Sequence, residues 1–156
     1  NKFKVSIRTR EPTIGVGERP TETFFEETYR DFGENFVLYP NQLVLANTFE
    51  YLRLPTDVMA IIYTRSSLNR LGLQLTSVVQ PGYAGTLTLE LINNSETPLK
   101  LKIGMRLIQI IFFEVEAAPD TSYLDSVLSK YVGDIDPQTS EIFKDKDMEI
   151  LQEINE

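Results

Sequence analysis

The chain has 156 residues, 42% of them apolar, and its 23 acidic and 15 basic residues give a formal net charge of −8. This length allows one well-buried core but not two ordinary domains, and the charge opposes binding to a nucleic acid duplex or an anionic membrane surface. Because cysteine and histidine are both absent, Cys/His zinc sites, Ser-His-Asp triads, cysteine nucleophiles and zinc-dependent nucleobase deaminase chemistry are excluded.

Short strand signals dominate the first 115 residues. Brief runs of β-branched and aromatic residues are separated by Pro, Gly or Asn, with turn signals about every eight to twelve residues. This spacing predicts an all-β sandwich, jelly roll or barrel. The predicted strands cover residues 3–8, 36–39, 42–46, 57–63, 86–92, 99–102 and 107–115.

The regions outside these strands are more polar. Residues 10–35 are predicted to form mainly a surface loop, and residues 15–20 form a turn because they lack the strand-turn-helix context of a phosphate-binding loop. After Val115 the composition changes, and helical spacing predicts helices over residues 122–128 and 145–154. We therefore predict a core over residues 1–115, and a C-terminal arm over residues 116–156 that packs on the core or on a neighbouring subunit.

Glu90 is the main candidate for chemistry. It lies in an otherwise apolar strand, and by the two-residue period of a strand it faces the same side as Thr86 and Thr88. Two interpretations of this polar side stay open. Glu90 is either a solvent-facing carboxylate, or a general base in a pocket, where partial desolvation and hydrogen bonds set its pKa for activating water.

A cluster of Arg and Ser residues follows the predicted strand at 57–63. Arg65 and Arg70 bracket residues 66–71, which can form a helical turn that presents N–H groups to an anion, although isolated surface arginines are common. Gln109 lies in the apolar strand at 107–115. Since an unpaired buried amide is costly, we expect Gln109 to have a structural or ligand partner.

The composition also limits the chemistry and the location of the protein. Hydrolysis must use carboxylates, hydroxyls, Arg, Lys and water, and a phosphate ligand must be bound locally with a divalent cation to screen it. No disulfide can form, no apolar run approaches the roughly 18 residues of a membrane span, and no signal-peptide pattern opens the chain. We therefore expect a soluble, cytoplasmic protein.

Several short motifs follow one another in a recognisable order. They are Arg65-Ser66-Ser67-Leu68, Arg70-Leu71-Gly72-Leu73, Pro81-Gly82-Tyr83-Ala84-Gly85, Leu87-Thr88-Leu89-Glu90-Leu91 with Asn93, Pro98-Leu99-Lys100-Leu101, Gly104-Met105, Ile108-Gln109, and Lys130-Tyr131-Val132-Gly133 with Ser140. In order and spacing, these motifs resemble the dCTP deaminase and trimeric dUTPase superfamily, and they are closest to its dCTP deaminase branch.

The resemblance implies a dUTPase-like β-clip fold, which is a distorted β-barrel or jelly roll, here with a short C-terminal helical arm. It implies homotrimers with deoxynucleoside triphosphate sites at the subunit interfaces. It also implies Mg²⁺ bound through the triphosphate, no zinc, and no metal ligands from protein side chains. The implied reaction converts dCTP to dUTP and ammonia in pyrimidine deoxynucleotide metabolism.

The resemblance also implies a role for each matching residue. Glu90 would be the base that takes a proton from water and delivers it to the cytosine ring, while Ser66 and Arg70 would hold the water network and the leaving amine. The phosphates would be contacted by Arg65, Ser66, Ser67 and Gln109. The remaining implied nucleotide contacts are Gln80 and Tyr83 at the turn and Lys130 and Tyr131 in the arm.

Three departures from the family pattern keep two alternatives open. The loop at residues 74–80 is shorter than in the family's deaminases, and Asp134 replaces a Gln of the arm. Gln80 replaces the Asp that is the catalytic base of the dUTPases, a role that an amide cannot fill. The alternatives are a non-catalytic nucleotide-binding or regulatory homologue, and a bifunctional dCTP deaminase/dUTP diphosphatase, which Gln80 disfavours.

Overall fold

Every strand predicted from the sequence is present, with shifts at the strand ends. The computed structural model describes residues 2–7, 15–16, 21–116, 136–142 and 145, and this part of the chain holds ten strands and one short α-helix. Its described helices include none that is long and apolar enough to cross a membrane. The elements are β1 (Lys2–Ser6), a 3₁₀ turn (Glu22–Phe24), β2 (Phe25–Tyr29), β3 (Asn35–Leu38), β4 (Leu43–Arg53), β5 (Val58–Thr64), α1 (Ser66–Asn69), β6 (Leu73–Gln74), β7 (Thr76–Val79), β8 (Ala84–Asn93), β9 (Leu99–Lys102) and β10 (Ile108–Glu114).

The strands form three antiparallel sheets. The largest has the order β2-β1-β4-β8-β6, a second has the order β10-β5-β7, and β3 pairs with β9. In the largest sheet Leu45 lies opposite Glu90, and a β-bulge between Asn47 and Tyr51 interrupts the pairing of β4 with β8. The all-β prediction is confirmed, and the fold is jelly-roll-like because the sheets of the described residues do not close into one barrel.

The core lies between the inner faces of the sheets. In β8, Leu87, Leu89 and Leu91 are buried, whereas the residues that alternate with them are more exposed. The predicted two-residue period of this strand is therefore confirmed, and burial of each leucine contributes about 1.5–3 kcal/mol. Other strands bury Phe3, Phe36, Leu38, Val44, Ile62 and Leu101 in the same core.

Strand β2 lies within residues 10–35, which the sequence predicts to be mainly a surface loop. The strand pairs with β1 along its whole length, with Lys4 opposite Glu27. Its Phe-Glu-Glu-Thr-Tyr sequence carries little alternation, and an edge strand needs only one neighbour. Strand β4 also continues past the predicted end at Ala46 to Arg53.

The turn that follows α1 fixes β6 beside β8. Gly72 adopts φ +94°, and a Cβ at this position would lie 2.7 Å from the Cβ of Ser95. The backbone N–H of Asn94 donates to the Gly72 carbonyl at 2.8 Å. Asn93 is fully buried, and its side-chain amide donates to the carbonyls of Leu38 and Thr97. Residues 93–95 therefore form a closely packed connection after β8.

Residues 136–142, which we call the strap, lie across the outer face of the five-stranded sheet. The Asp136 carboxylate is 3.0 Å from the Lys2 ammonium of β1, and the Gln138 N–H donates to the Thr88 hydroxyl of β8. This part of the predicted C-terminal arm therefore packs on the core of its own chain. The helix predicted over residues 122–128, and all but the first residue of the helix predicted over residues 145–154, lie outside the described residues.

Candidate functional site

An open cavity of about 1210 Å³ lies beside the outer face of the five-stranded sheet, next to strands β6 and β7. Among the predicted site residues, Glu90, Gln80 and Tyr83 line this cavity. Asn69 of α1 and Gln138 of the strap line it as well. The cavity is therefore lined by the sheet, the turn before β8, one end of α1 and the strap.

Glu90 lies on the polar face of β8, as predicted. It is exposed, and its neighbour across the sheet, Leu45, is only 5% exposed. The same face carries a hydrogen-bonded ladder, in which the Asn47 amide donates to the Thr86 hydroxyl at 2.8 Å and the Thr88 hydroxyl donates to the Asn47 side-chain oxygen at 3.2 Å. Glu90 thus presents a carboxylate to the cavity from a rigid strand.

Gln80 and Tyr83 are the first and last residues of a tight turn. The Tyr83 N–H donates to the Gln80 carbonyl at 3.2 Å, and Gly82 adopts φ +77°, as a type II turn requires. Gln80 is exposed, whereas Tyr83 is buried and its hydroxyl donates to the Thr86 carbonyl at 2.6 Å. Tyr83 therefore ties the turn to β8, and Gln80 extends from the turn at the cavity wall.

The predicted Ser-Arg turn is present as α1. Its first turn is closed by the N–H groups of Leu68 and Asn69, which donate to the Arg65 carbonyl at 2.9 Å. Ser66, Ser67 and Arg70 are exposed, but they lie outside the residues that line the cavity. Within the described part of one chain, the Ser-Arg turn and the Glu90 carboxylate therefore do not share a cavity.

Arg65 has an internal partner. Its guanidinium donates to the Arg106 carbonyl at 3.2 Å, and its backbone N–H donates to the Leu107 carbonyl at 3.0 Å. These bonds connect the start of α1 to the segment before β10. Because a guanidinium carries five N–H donors, this contact leaves further donors for a ligand.

The expectation that Gln109 is buried was wrong. Gln109 is exposed on β10, opposite Tyr63 of β5, which is itself 38% exposed. The apolar neighbours of Gln109 on β10 suggested burial, but this face of the three-stranded sheet is exposed to solvent in the single chain. Solvent can therefore satisfy the amide.

The predicted site residues and the residues that line the cavity differ in two ways. Lys130 and Tyr131 of the predicted arm lie outside the described residues, as does Asp134. Asn69 and Gln138 line the cavity but were not predicted, because no local pattern distinguishes an amide that long-range folding brings to a pocket. Among the described residues there is no group of three or more acidic side chains placed to hold a metal ion.

These features place the chain in the dUTPase-like class of jelly-roll folds, with a strand carboxylate in the wall of a mainly apolar cavity. The chain belongs to the dCTP deaminase-like family, whose model matches residues 1–115. The predicted resemblance is thereby confirmed.

Two relatives and one solved structure extend this assignment. A dCTP deaminase of Natronomonas pharaonis is 38% identical over 135 residues, which cover 85% of this chain and 69% of that protein. A dUMP-forming dCTP deaminase of Methanopyrus kandleri is 37% identical over 139 residues, covering 86% and 69%. The crystal structure of the 2′-deoxycytidine 5′-triphosphate deaminase of Agrobacterium tumefaciens shares the fold, with a TM-score of 0.65 at 14% identity over 75% of this chain and 37% of that one.

Proposed function

We propose that this chain is a zinc-independent dCTP deaminase that converts dCTP and water to dUTP and ammonia. The observation that carries the proposal is the position of Glu90, a carboxylate on a hydrogen-bonded strand in the wall of a large and mainly apolar cavity. The names of the relatives at 37–38% identity support the same substrate. The chain contains neither Cys nor His, and a carboxylate is the strongest of its remaining candidates for activating water.

In the proposed mechanism, Glu90 is the general base. It takes a proton from water while the water oxygen forms a bond to C4 of the cytosine ring. Glu90 gives this proton to N3 of the cytosine ring. It then transfers the remaining proton from the new C4 hydroxyl to the amino group, so that a C4 carbonyl forms, the C–N bond breaks and ammonia leaves, while N3 keeps its proton. The apolar Leu45 lies beside Glu90 and limits hydration on one side of the carboxylate once a nucleotide covers the cavity. Reduced hydration strengthens the interactions of the carboxylate with the bound water and the nucleotide.

The second part of the proposal is a site shared between subunits of a homotrimer. Ser66 and Arg70 do not line the cavity of their own chain, so a neighbouring subunit would supply them to Glu90, where they would hold the water and the leaving amine. The outer face of the three-stranded sheet supports such an assembly. Val78 and Ile111 lie on either side of Ile61 in one row across this face, and they are 49% and 44% exposed. Contiguous exposed apolar surface of this kind is typical of protein–protein contacts.

The triphosphate would be bound by positive and hydrogen-bonding groups from several elements. Arg65 has guanidinium donors beyond the one bonded to the Arg106 carbonyl, and Ser66 and Ser67 are exposed beside it. Gln109, Lys130 and Tyr131 would add further contacts, as the family pattern implies. Mg²⁺ would arrive with the triphosphate, coordinated by phosphate oxygens, and would offset repulsion by a chain of net charge −8.

We propose dUTP rather than dUMP as the product. Release of pyrophosphate needs a second activated water, and Gln80, which lines the cavity near Glu90's strand, cannot act as its base. The name of the Methanopyrus kandleri relative, a dUMP-forming dCTP deaminase, favours the bifunctional alternative. The two reactions can be told apart by their products, since only the bifunctional reaction forms dUMP and releases pyrophosphate.

The proposal is tested by incubating the purified chain with dCTP and Mg²⁺ and measuring ammonia. We expect one ammonia for each dCTP consumed. Binding of dCTP by calorimetry without ammonia release, in a folded protein, would contradict the proposal and favour the non-catalytic homologue. Release of pyrophosphate in step with ammonia would favour the bifunctional enzyme.

A further inference from the structure

The strap is fastened to its own chain at both ends. At its start, the Asp136 carboxylate pairs with the Lys2 ammonium at 3.0 Å. Near its other end, the Thr139 hydroxyl donates to the Glu22 carboxylate at 3.0 Å, and the Thr21 hydroxyl donates to the Ser140 carbonyl at 3.0 Å. Between these contacts Pro137 is fully buried and Thr139 is 3% exposed. The strap is therefore a packed part of the fold.

Lys2 is the centre of the contact at the start of the strap. Its ammonium is 3.0 Å from Asp136, 3.3 Å from Glu27 and 5.9 Å from the centroid of the Tyr29 ring. Its side chain is 20% exposed, against 53% for Asp136. The hydrogen bond to Asp136, and next the one to Glu27, raise the pKa of Lys2 above its ordinary value. Lys2 is therefore a permanent cation between two acidic side chains from different segments.

Gln138 connects this contact to the cavity. Its backbone N–H donates to the Thr88 hydroxyl at 3.4 Å, and its side-chain amide donates to the Asp136 carbonyl at 3.1 Å. Thr88 lies two residues before Glu90 on the same face of β8, and Gln138 lines the cavity together with Glu90. The amide of Gln138 can both donate and accept hydrogen bonds, so its placement determines which polar groups the cavity wall offers to a ligand.

We propose that Lys2 is a positioning residue for the substrate pocket: through its ion pair with Asp136 it fixes the strap, and thereby holds Gln138 in the wall of the cavity that contains Glu90. Gln138 then supplies a polar contact to the bound nucleotide. The nature of that ligand rests on the proposed function, whereas the fastening of the strap does not. Lys4 provides a matched control, because it lies on the same strand and the same face, opposite Glu27 and Leu45.

The fastening is tested without any nucleotide, by hydrogen exchange of the amides of residues 138–142 in the whole chain. We expect Lys2→Met to accelerate this exchange about two- to fivefold, the range expected for loss of a partly exposed ion pair. Lys2→Arg should retain protection, Lys4→Met should not alter it, and Asp136→Asn should add nothing to Lys2→Met. Unchanged exchange in Lys2→Met would overturn the proposal whatever the protein's activity.

The positioning role is tested by steady-state kinetics with dCTP. We expect Lys2→Met and Gln138→Ala each to raise KM about two- to fivefold, with kcat altered less than twofold, because they affect substrate placement rather than the base. A normal KM in Gln138→Ala would overturn the role of Gln138 in the cavity wall. If the wild-type chain releases no ammonia from dCTP, the proposed function fails, and the exchange measurement still decides the fastening of the strap.

Discussion

The substitution Glu90→Gln removes the proposed base with little change in shape. Glu90 is exposed and forms part of a strand whose alternate side chains build the core, so the neutral amide should change the free energy of unfolding by less than about 0.5 kcal/mol. A glutamine cannot accept the proton from water. Loss of a general base typically lowers the rate 10²–10⁴-fold, which corresponds to about 3–5.5 kcal/mol of activation free energy.

The assay is ammonia release from saturating dCTP, together with the Kd for dCTP from calorimetry. We expect kcat to fall by at least about 100-fold, while the Kd changes less than about threefold and the thermal midpoint is retained. Glu26→Gln is the control, since Glu26 is an exposed glutamate on strand β2 of the same sheet, and it should leave both quantities unchanged. A Glu90→Gln variant with a kcat within about fivefold of wild type would refute the role of Glu90 as base.

Three further predictions concern the shared site, the turn after α1 and the charge of Lys2. Arg70→Ala and Glu90→Gln subunits, each inactive alone, should recover about a quarter of wild-type activity when they are refolded together. In a randomly mixed trimer, one interface in four combines a native Glu90 from one subunit with a native Arg70 from its neighbour. No recovery in verified mixed trimers would contradict a shared site. Gly72→Ala should destabilise the chain by about 2–4 kcal/mol in denaturant unfolding, because φ is +94° and the new Cβ would lie 2.7 Å from that of Ser95. Gly33→Ala, with φ +85° but open space around it, should cost only about 1 kcal/mol, and equal costs would contradict the role of the Ser95 contact. The pKa of Lys2 is raised in the folded chain. The Lys2 ion pairs should therefore stabilise the chain fully at any pH below the ordinary lysine pKa of 10.5, and this stabilisation should be lost only as the pH rises through the folded pKa. If the difference in unfolding free energy between wild type and Lys2→Met disappeared between about pH 7 and pH 9, the raised pKa would be contradicted.

The sequence predicts best where local periodicity and packing agree. In β8 every second residue enters the core, so the position of Glu90 on the polar face could be predicted without the structure. The same logic failed for Gln109, because the apolar residues of β10 face an open sheet surface rather than only the core. Period two identifies a face, but it does not say what covers that face.

The remaining features depend on contacts between distant parts of the chain. Strand β2 is polar and lies in a segment that the sequence predicts to be mainly loop, and its pairing with β1 stabilises it as a strand. The contact between Lys2 and Asp136 joins residues that are 134 positions apart, and Gln138 reaches the cavity only because the strap crosses the sheet. Such placements follow from the folded topology and carry no local sequence signal.

The most direct test of the central claim is turnover of dCTP in H₂¹⁸O, with mass spectrometry of the nucleotide and the phosphate products. The proposed deaminase should place one ¹⁸O atom in the uracil base, at the carbon that loses ammonia, and should leave an unlabelled, intact triphosphate. A folded assembly that yields no labelled base would contradict deamination, and label in the phosphate of dUMP or in pyrophosphate would contradict dUTP as the product.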